Sequence, residues 1–262
     1  MDFNLEPSSE AVRASATVVM LRDGPTGLEV FLLKRHGLSD VLGGAYVFPG
    51  GKVDAIDAQP AALALLDRTP EALHAALHEP SLSPVEAAAI FAAALRETLE
   101  EACVRLAASD LVPWSRWITP AVGGVIRKRF DTRFFLARVP PGQQPRHDEH
   151  EATDSAWLSP RDALRQYWDR AIQLAPPQIM SLAHLSRYAL VQDALDAAAS
   201  RRPPLVHPEP FEQDGARVIC YPGDERHSVR ERALPGPTRL IHRGGRFEPA
   251  GGFDALFIDQ DF

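Results

Sequence analysis

The sequence predicts an α/β protein, and three observations carry that prediction. Short apolar runs bounded by turn residues open the chain. A long stretch with helical spacing and an acidic cluster follows, and strand-like runs then give way to two more helical stretches. Residues 16–21, Ala-Thr-Val-Val-Met-Leu, read as a buried strand. Residues 22–27, with Gly24, Pro25 and Gly27, read as the turn into a return strand over 28–34. Gly43 and Gly44 precede a short apolar run from Ala45 to Phe48 that ends at Pro49, Gly50 and Gly51. Residues 58–84 are rich in Ala and Leu and punctuated by Pro60, Pro70, Pro80 and Pro84, which predicts short helices in an insertion. Helical spacing is strongest over 85–106.

Strand signals return over 117–139, clearest from Phe130 to Leu136, and the polar stretch 140–154 reads as loop. Trp157 and Leu158 close a further short strand. Ser159, Pro160 and Asp162 mark a helix start, with Ser as cap and Pro at the first helical position. A longer helix is expected from Pro176 to about Ser200. Residues 201–204 form a linker, and the Pro- and Gly-rich residues 205–262 read as a β-rich tail. The expected organisation is one domain over 1–204, interrupted by the insertion at about 58–84, with 205–262 as an extension packed on it.

Composition narrows the function classes. A net charge of −7 disfavours a general nucleic-acid binder, which needs a basic face, but leaves room for a small anionic substrate held by local cations. Two cysteines, Cys103 and Cys220, are too few for a disulfide framework and suit a reducing compartment. No run approaches the ~18 apolar residues of a membrane span. Residues 1–14 carry Asp2, Glu6 and Glu10 in place of an apolar leader core. The cytoplasm is therefore the expected location, with no membrane partner, and a homodimer is left open.

The chemistry concentrates in Arg96-Glu97-Thr98-Leu99-Glu100-Glu101. On a helix, the carboxylates at 97, 100 and 101 share one face and repel one another by a few tenths of a kcal/mol per pair. A sequence that accepts this repulsion commonly has a cation to offset it. Hard oxygen ligands on a rigid helix suit Mg²⁺ or Mn²⁺; the alternative is a solvated acidic helix face.

Together, Gly51, Asp57 and the run from Arg96 to Val104 resemble the Nudix box, a glycine-led loop followed by an Arg-Glu-x-x-Glu-Glu helix. The approach Phe48-Pro49-Gly50-Gly51-Lys52-Val53-Asp54 resembles the same family. The chain departs from the pattern in three ways. Asp57 stands where the pattern has Glu, Cys103 stands where a glycine ends the helix, and 38 residues separate Asp57 from Arg96 where the pattern has seven. Lengthening a closed loop that much costs about 1.5 kcal/mol, a tolerable amount. A branch similar to the peroxisomal coenzyme A diphosphatases carries an insertion at this point. Phe31-Leu32-Leu33-Lys34-Arg35, Arg129 through Phe135, Trp157-Leu158-Ser159-Pro160, Leu174-Ala175-Pro176-Pro177-Gln178 and Pro222-Gly223-Asp224-Glu225 look like that branch.

The resemblance implies a Nudix-type α/β/α sandwich with a mixed sheet, the helical insertion and the C-terminal extension. It implies Mg²⁺ or Mn²⁺ on Glu97, Glu100 and Glu101 with a backbone carbonyl near Gly51, and Arg96 orienting those carboxylates. The general base is expected at Glu151, with Glu149 next; the alternative is an ordinary solvated loop. Lys34, Arg35 and Arg129 could receive a 3′-phosphate or the diphosphate, or be solvated strand-end cations. Phe48, with Trp117 and Tyr46, could stack on adenine or belong to the core. Cys103 reads as a small buried side chain. The reaction implied is hydrolysis of a nucleoside diphosphate derivative, favouring coenzyme A or an acyl-CoA. An ADP-ribose or dinucleotide hydrolase, or a nucleotide-sensing module that does not cleave, are the alternatives.

Overall fold

A computed structural model gives the fold of residues 11–37, 44–121, 128–148 and 152–258. A hairpin opens it. Strand β1 (Arg13–Gly24) pairs antiparallel with β2 (Gly27–Arg35), with Gly24 opposite Gly27 and Pro25-Thr26 making the tight connection. Strands β3 (Tyr46–Val47) and β4 (Gly50–Lys52) follow, pairing with β2 and β1 respectively. Helices α1 (Pro60–Leu63), α2 (Pro70–Leu77) and α3 (Pro84–Ala102) come next. Then come β5 (Val112–Ile118), β6 (Phe130–Arg138) and β7 (Ala152–Leu158). Helices α4 (Pro160–Trp168), α5 (Pro176–Leu185) and α6 (Val191–Ala199) lead into the C-terminal strands.

These strands form a mixed sheet whose central run is β3-β2-β1-β6-β5, with β1 and β6 parallel and in register from Arg13 opposite Phe130 to Leu21 opposite Arg138. Helices cover both faces, and the side chains show why. Along β1, Val19 and Leu21 enter one buried cluster while Ala16, Val18 and Met20 enter another. Along β6 the split repeats, with Phe134 and Leu136 on one side and Phe135 and Ala137 on the other. Strands buried on both faces read as continuous apolar runs, which is the character of Ala16 to Leu21. The first cluster packs against α4, α5 and α6, the second against α2 and α3. The α/β/α sandwich is thus present.

Strands β1, β5 and β7 start earlier than the sequence expectation, at Arg13, Val112 and Ala152, and both long helices differ from it. The helix read over 85–106 is α3, which starts at a capping box formed by Ser83 and Glu86 and stops at Ala102. Cys103 ends it in the left-handed region, at φ 56° and ψ 28°, and its N–H donates to the Leu99 carbonyl at 3.1 Å. Cys103 is exposed, not buried as its apolar character suggested. The long helix expected from Pro176 to Ser200 is two helices, α5 and α6. The break docks on the opening hairpin, where the Leu28 N–H donates to the Ala189 carbonyl at 2.9 Å and the Val191 N–H donates to Asp23 at 2.8 Å. Those long-range bonds replace what a continuous helix would have made locally.

Residues 58–84 hold α1 and α2, and α2 lays Leu73 and Leu77 into the second cluster beside α3. Beyond α6, β8 (Leu205–Val206) runs parallel to β5 on the main sheet. Strands β9 (Glu209–Gln213), β10 (Ala216–Cys220), β11 (Arg239–Arg243) and β12 (Arg246–Glu248) make a separate antiparallel sheet. Ile219, Tyr221, Leu240 and Phe247 from this segment enter the same buried cluster as β1 and β2. Buried Asp224 holds the segment together: it accepts two 2.6 Å bonds from Arg239, one from the Thr238 hydroxyl and one from the Arg226 N–H, both 2.9 Å. Despite its burial, those donors keep its pKa below the usual carboxylate value. Among the described residues, no helix is long and apolar enough to cross a membrane.

Candidate functional site

Glu97, Glu100 and Glu101 lie on the last turns of α3, and what stands beside them is the Gly50-Gly51 turn of β4. The two segments lie on either side of the insertion in the chain and in direct contact in space. The Gly50 N–H donates to Glu101 Oε2 at 2.9 Å. At Gly51 a Cβ would lie 2.4–2.7 Å from the carboxylate atoms of Glu97, so a side chain there would displace that carboxylate. At Gly50 a Cβ would strike the Ala16 carbonyl and Thr17 on β1. Bare backbone is what lets strand, turn and acidic helix close up.

Arg96 organises the acidic face. Its Nε and Nη2 donate to the two oxygens of Asp57 at 2.9 Å each, and its Nη1 donates to Glu97 at 2.8 Å and Glu100 at 3.0 Å. Nη2 also reaches the Lys52 carbonyl at 3.2 Å. The Asp57 hydrogen bonds, reinforced by Glu97, raise the Arg96 pKa further above its already high value. Asp57 is 2% exposed and also accepts the Asp54 N–H at 2.8 Å. It therefore anchors Arg96 and caps the short helical turn after β4. The shorter Asp reaches because the guanidinium presents a planar fork to it.

A cavity of about 460 Å³ opens beside this arrangement, and its lining is of two kinds. Glu97 and Glu101 line it with Gly50 and Gly51, as do the cations Arg13, Arg35, Lys52 and Lys128. Apolar side chains line it too: Phe48, Trp117, Phe134, Ile219 and the Ala175-Pro176-Pro177 start of α5. Its walls are braced by edge-on aromatic contacts: Phe48 on Phe134 at 6.4 Å between centroids, and Tyr221 on Trp117 at 5.8 Å.

The candidates read from the sequence divide. Glu97, Glu101, Gly51, Phe48 and Arg35 line the cavity. Glu100 is more exposed, with its carboxylate on Arg96. Lys34 and Arg129 are not among the lining residues; Arg129 instead donates to the Thr119 carbonyl at 3.3 Å. The pairing of β2 with β7 slips between Lys34 and Arg35, and it is Arg35 that reaches the cavity. Glu149 and Glu151 lie outside the described residues. Tyr46 lies in the core, its hydroxyl donating to Asp154 at 2.7 Å, and burial raises its pKa to about 12. Sequence reasoning missed Arg13, Lys52 and Gln178. Arg13 had a readable signal: Arg13, Ser15 and Thr17 alternate with Ala14 and Ala16, and all three polar side chains face the cavity.

The donor set beside the glycine turn is all oxygen, and Glu97 is packed onto bare backbone, which fits a hard divalent cation in kind. Among the described residues no three His, Cys, Asp or Glu side chains are gathered as a metal gathers its ligands. Arg96 and the Gly50 amide hold the three glutamates instead.

The solved Nudix hydrolase of Alicyclobacillus acidocaldarius superposes with a TM-score of 0.59 at 24% identity, covering 74% of this chain and 98% of that one. This chain has the Nudix fold. A family model described as the NUDT19 Nudix domain matches residues 107–185, a span that begins beyond α3 and its glutamates. The chain resembles proteins named acyl-coenzyme A diphosphatase NUDT19. The Xenopus laevis protein is 30% identical over 157 residues, 52% of this chain and 40% of that relative. A Caenorhabditis elegans protein named putative nudix hydrolase 7 is 26% identical over 245 residues, 87% of this chain and 79% of that relative. The matched span runs from β5 through β7 and α4 to α5, the segment that brings Pro176 and Gln178 to the cavity.

Proposed function

We propose that the protein hydrolyses the diphosphate linkage of a nucleoside diphosphate derivative, with coenzyme A or an acyl-CoA as the favoured substrate. The products are 3′,5′-ADP and the (acyl-)4′-phosphopantetheine. One observation carries the reading: a single cavity sets Glu97 and Glu101 against the Gly50-Gly51 turn, amid Arg13, Arg35, Lys52 and Lys128. Acidic and basic groups lining one cavity suit a substrate whose own charge is a diphosphate. The relatives named acyl-coenzyme A diphosphatase support the choice of substrate.

The linkage resists attack because its oxygens repel an incoming hydroxide. Glu97, Glu100 and Glu101 would hold Mg²⁺ or Mn²⁺, which would supply charge neutralisation and make a water easier to deprotonate. The chain's own residues do the rest. Arg96 fixes Glu97 and Glu100, and the Gly50 N–H fixes Glu101, so the carboxylates are oriented before substrate arrives. The four cations draw the diphosphate into the cavity. Phe48, Trp117 and Ile219 exclude water from the organic part of the substrate. A water oxygen attacks phosphorus, the bond to the bridging oxygen breaks, and a carboxylate outside the helix removes the water proton. The sequence assigns that base to Glu151, then Glu149. The cytoplasm is the compartment inferred from the two free cysteines.

The test is product analysis with Mg²⁺ or Mn²⁺ on coenzyme A, acetyl-CoA, ADP-ribose, NADH and diadenosine polyphosphates. Coenzyme A esters are expected to turn over fastest, and Glu101→Gln should lower kcat/KM by about 100-fold or more. Binding without cleavage of any substrate would favour a sensor, and turnover of Glu101→Gln within a few-fold of wild type would remove the site assignment.

A further inference from the structure

The cations lining the cavity are carried by different strands, and two of them are cross-strand neighbours. Arg13 opens β1, and its Cα pairs with that of Phe130 on β6. Its N–H donates to the Arg129 carbonyl at 3.0 Å, one residue from Lys128. A residue two positions from a cross-strand partner is within reach of a long side chain. Arg13, Phe130 and Lys128 all line the cavity. Next along the same two strands, Ser15 pairs with Thr132, and their hydroxyls share a 2.6 Å hydrogen bond. One proton makes that bond, which leaves the pair one O–H to donate elsewhere. Both side chains line the same cavity. Strand alternation keeps the neighbouring acid away: Asp131 turns to the opposite face, where it pairs with Arg133. The lining carboxylates, Glu97 and Glu101, stand instead beside Gly51 and Gly50. Gly51 pairs with Ala16, three residues beyond Arg13, so strand rise sets Arg13 about 10 Å along β1 from the glycine turn.

We propose that Arg13 and Lys128, with the Ser15–Thr132 hydroxyl pair, bind a second phosphate group of the substrate, a 3′-phosphomonoester. They thereby select coenzyme A and its esters over nucleotides that lack that group. This rests on the diphosphate reading above and deepens it, because it says which residues set the substrate class. The argument is one of charge and donors. A phosphomonoester carries nearly two negative charges and three strong acceptor oxygens. A guanidinium takes two of those oxygens in bidentate fashion, an ammonium adds a point charge, and a hydroxyl can donate to the third. Lys52 of β4, the strand of the glycine turn, and Arg35 of β2 remain for the diphosphate. The spacing suits one nucleotide. Its 3′- and 5′-phosphates are separated by a single ribose, and the flexible stems of Arg13 and Lys128 cover the rest of the distance to the glycine turn. The nucleoside half of the substrate then lies over β1 and β6. ADP-ribose, NADH and diadenosine polyphosphates have no 3′-phosphate to place there.

The experiment compares kcat/KM for coenzyme A and 3′-dephospho-coenzyme A on the full chain with Mg²⁺ or Mn²⁺. The proteins are wild type, Arg13→Gln, Lys128→Gln and Thr132→Val. The readout is the ratio between the two substrates, because a loss of general attraction for anions lowers both and cancels. Wild type should favour coenzyme A by about 10- to 100-fold, the range for charge-assisted hydrogen bonds. Arg13→Gln should bring the ratio close to one, through KM more than kcat, with smaller falls in Lys128→Gln and Thr132→Val. Calorimetry gives a second readout: 3′,5′-ADP should bind wild type about tenfold tighter than 5′-AMP, and Arg13→Gln should remove the difference. A merely structural Arg13 would lower thermal stability and leave both preferences in place. A wild-type ratio near one overturns the proposal, as does a ratio unchanged in both Arg13→Gln and Lys128→Gln. If wild type cleaves the two coenzymes equally well, only this inference falls. If it cleaves neither, the diphosphate reading falls, and the calorimetric preference alone decides whether the phosphate site stands.

Discussion

Two arginine–carboxylate forks bracket the inserted segment, and they do different things. At its start, Asp57 takes both Nε and Nη2 of Arg96. Near its end, Glu79 takes Nε and Nη2 of Arg133 on β6, at 2.9 and 2.6 Å. The chemistry is the same, but the surroundings are not. Arg133 is 3% exposed, and Glu79 also pairs with Arg116 at 2.8 Å while Asp131 pairs with both arginines, so the charges close on themselves. Arg96 is partly open to solvent and spends its remaining nitrogen on Glu97 and Glu100 of the acidic helix. One fork fastens the insertion to the sheet, and the other transmits the position of the insertion's first turn to the acidic helix. Which role a fork plays is decided by what its spare donors reach.

The comparison can be broken from the buried side first. Arg133→Met leaves Glu79 short of its main partner, and stability should fall by about 3 kcal/mol in urea unfolding, with kcat of the folded enzyme within two-fold of wild type. Removing both charges with Glu79→Leu and Arg133→Met together should recover most of that loss, because two apolar side chains leave neither of those charges stranded. A comparable drop in kcat for Arg133→Met would erase the distinction between the forks. Arg96→Lys tests the other side. One ammonium cannot serve Asp57 in bidentate fashion and hold Glu97 and Glu100 as well. The expected result is about a tenfold fall in kcat/KM with a smaller loss of Tm than in the Arg133 variant.

Cys103→Gly separates the stability of α3 from its chemistry. A side chain in the left-handed cap costs about 1 kcal/mol relative to glycine, so the variant should gain about that much in thermal unfolding while activity stays put. The smallest effect lies on the opposite face of the sheet from both forks. There His184 stacks on Trp114, with ring centroids 4.3 Å apart. Burial, with Arg201 and Arg187 nearby, holds its pKa well below 6.5. As pH falls through about 6.5, the unfolded chain takes up the proton first, so this contribution is present above that pH and is lost as acid is added. Tm should decline between pH 7 and pH 5, and His184→Leu should flatten the decline. The Arg133 and Arg96 variants should keep the wild-type slope.

Much of the site was legible because its signals are local. Three glutamates at helical spacing, an arginine before them and a glycine pair after a proline each follow from a few adjacent residues. Asp57 was the partial case. Its place in the motif could be read, but its service to Arg96 depends on a turn and a helix end meeting across 38 residues. Arg35 against Lys34 was decided by a slip in strand pairing, which no alternation pattern announces. The break between α5 and α6 also escaped, because a hydrogen bond from Leu28 to Ala189 joins segments far apart in the chain.

By itself the sequence determined the element types, the double-sided burial of the central strands and the acidic helix, since these depend on side-chain periodicity and short-range chemistry. Tertiary structure alone decided which cations surround the cavity, that Pro208 and Ile219 of the C-terminal segment help wall it, and that Gln178 joins the lining from the start of α5. The reason is physical. Periodicity tells a residue which face of its own element it occupies, whereas a cavity is made of faces from several elements, and their meeting is set by packing and long-range hydrogen bonds that no single stretch of chain encodes.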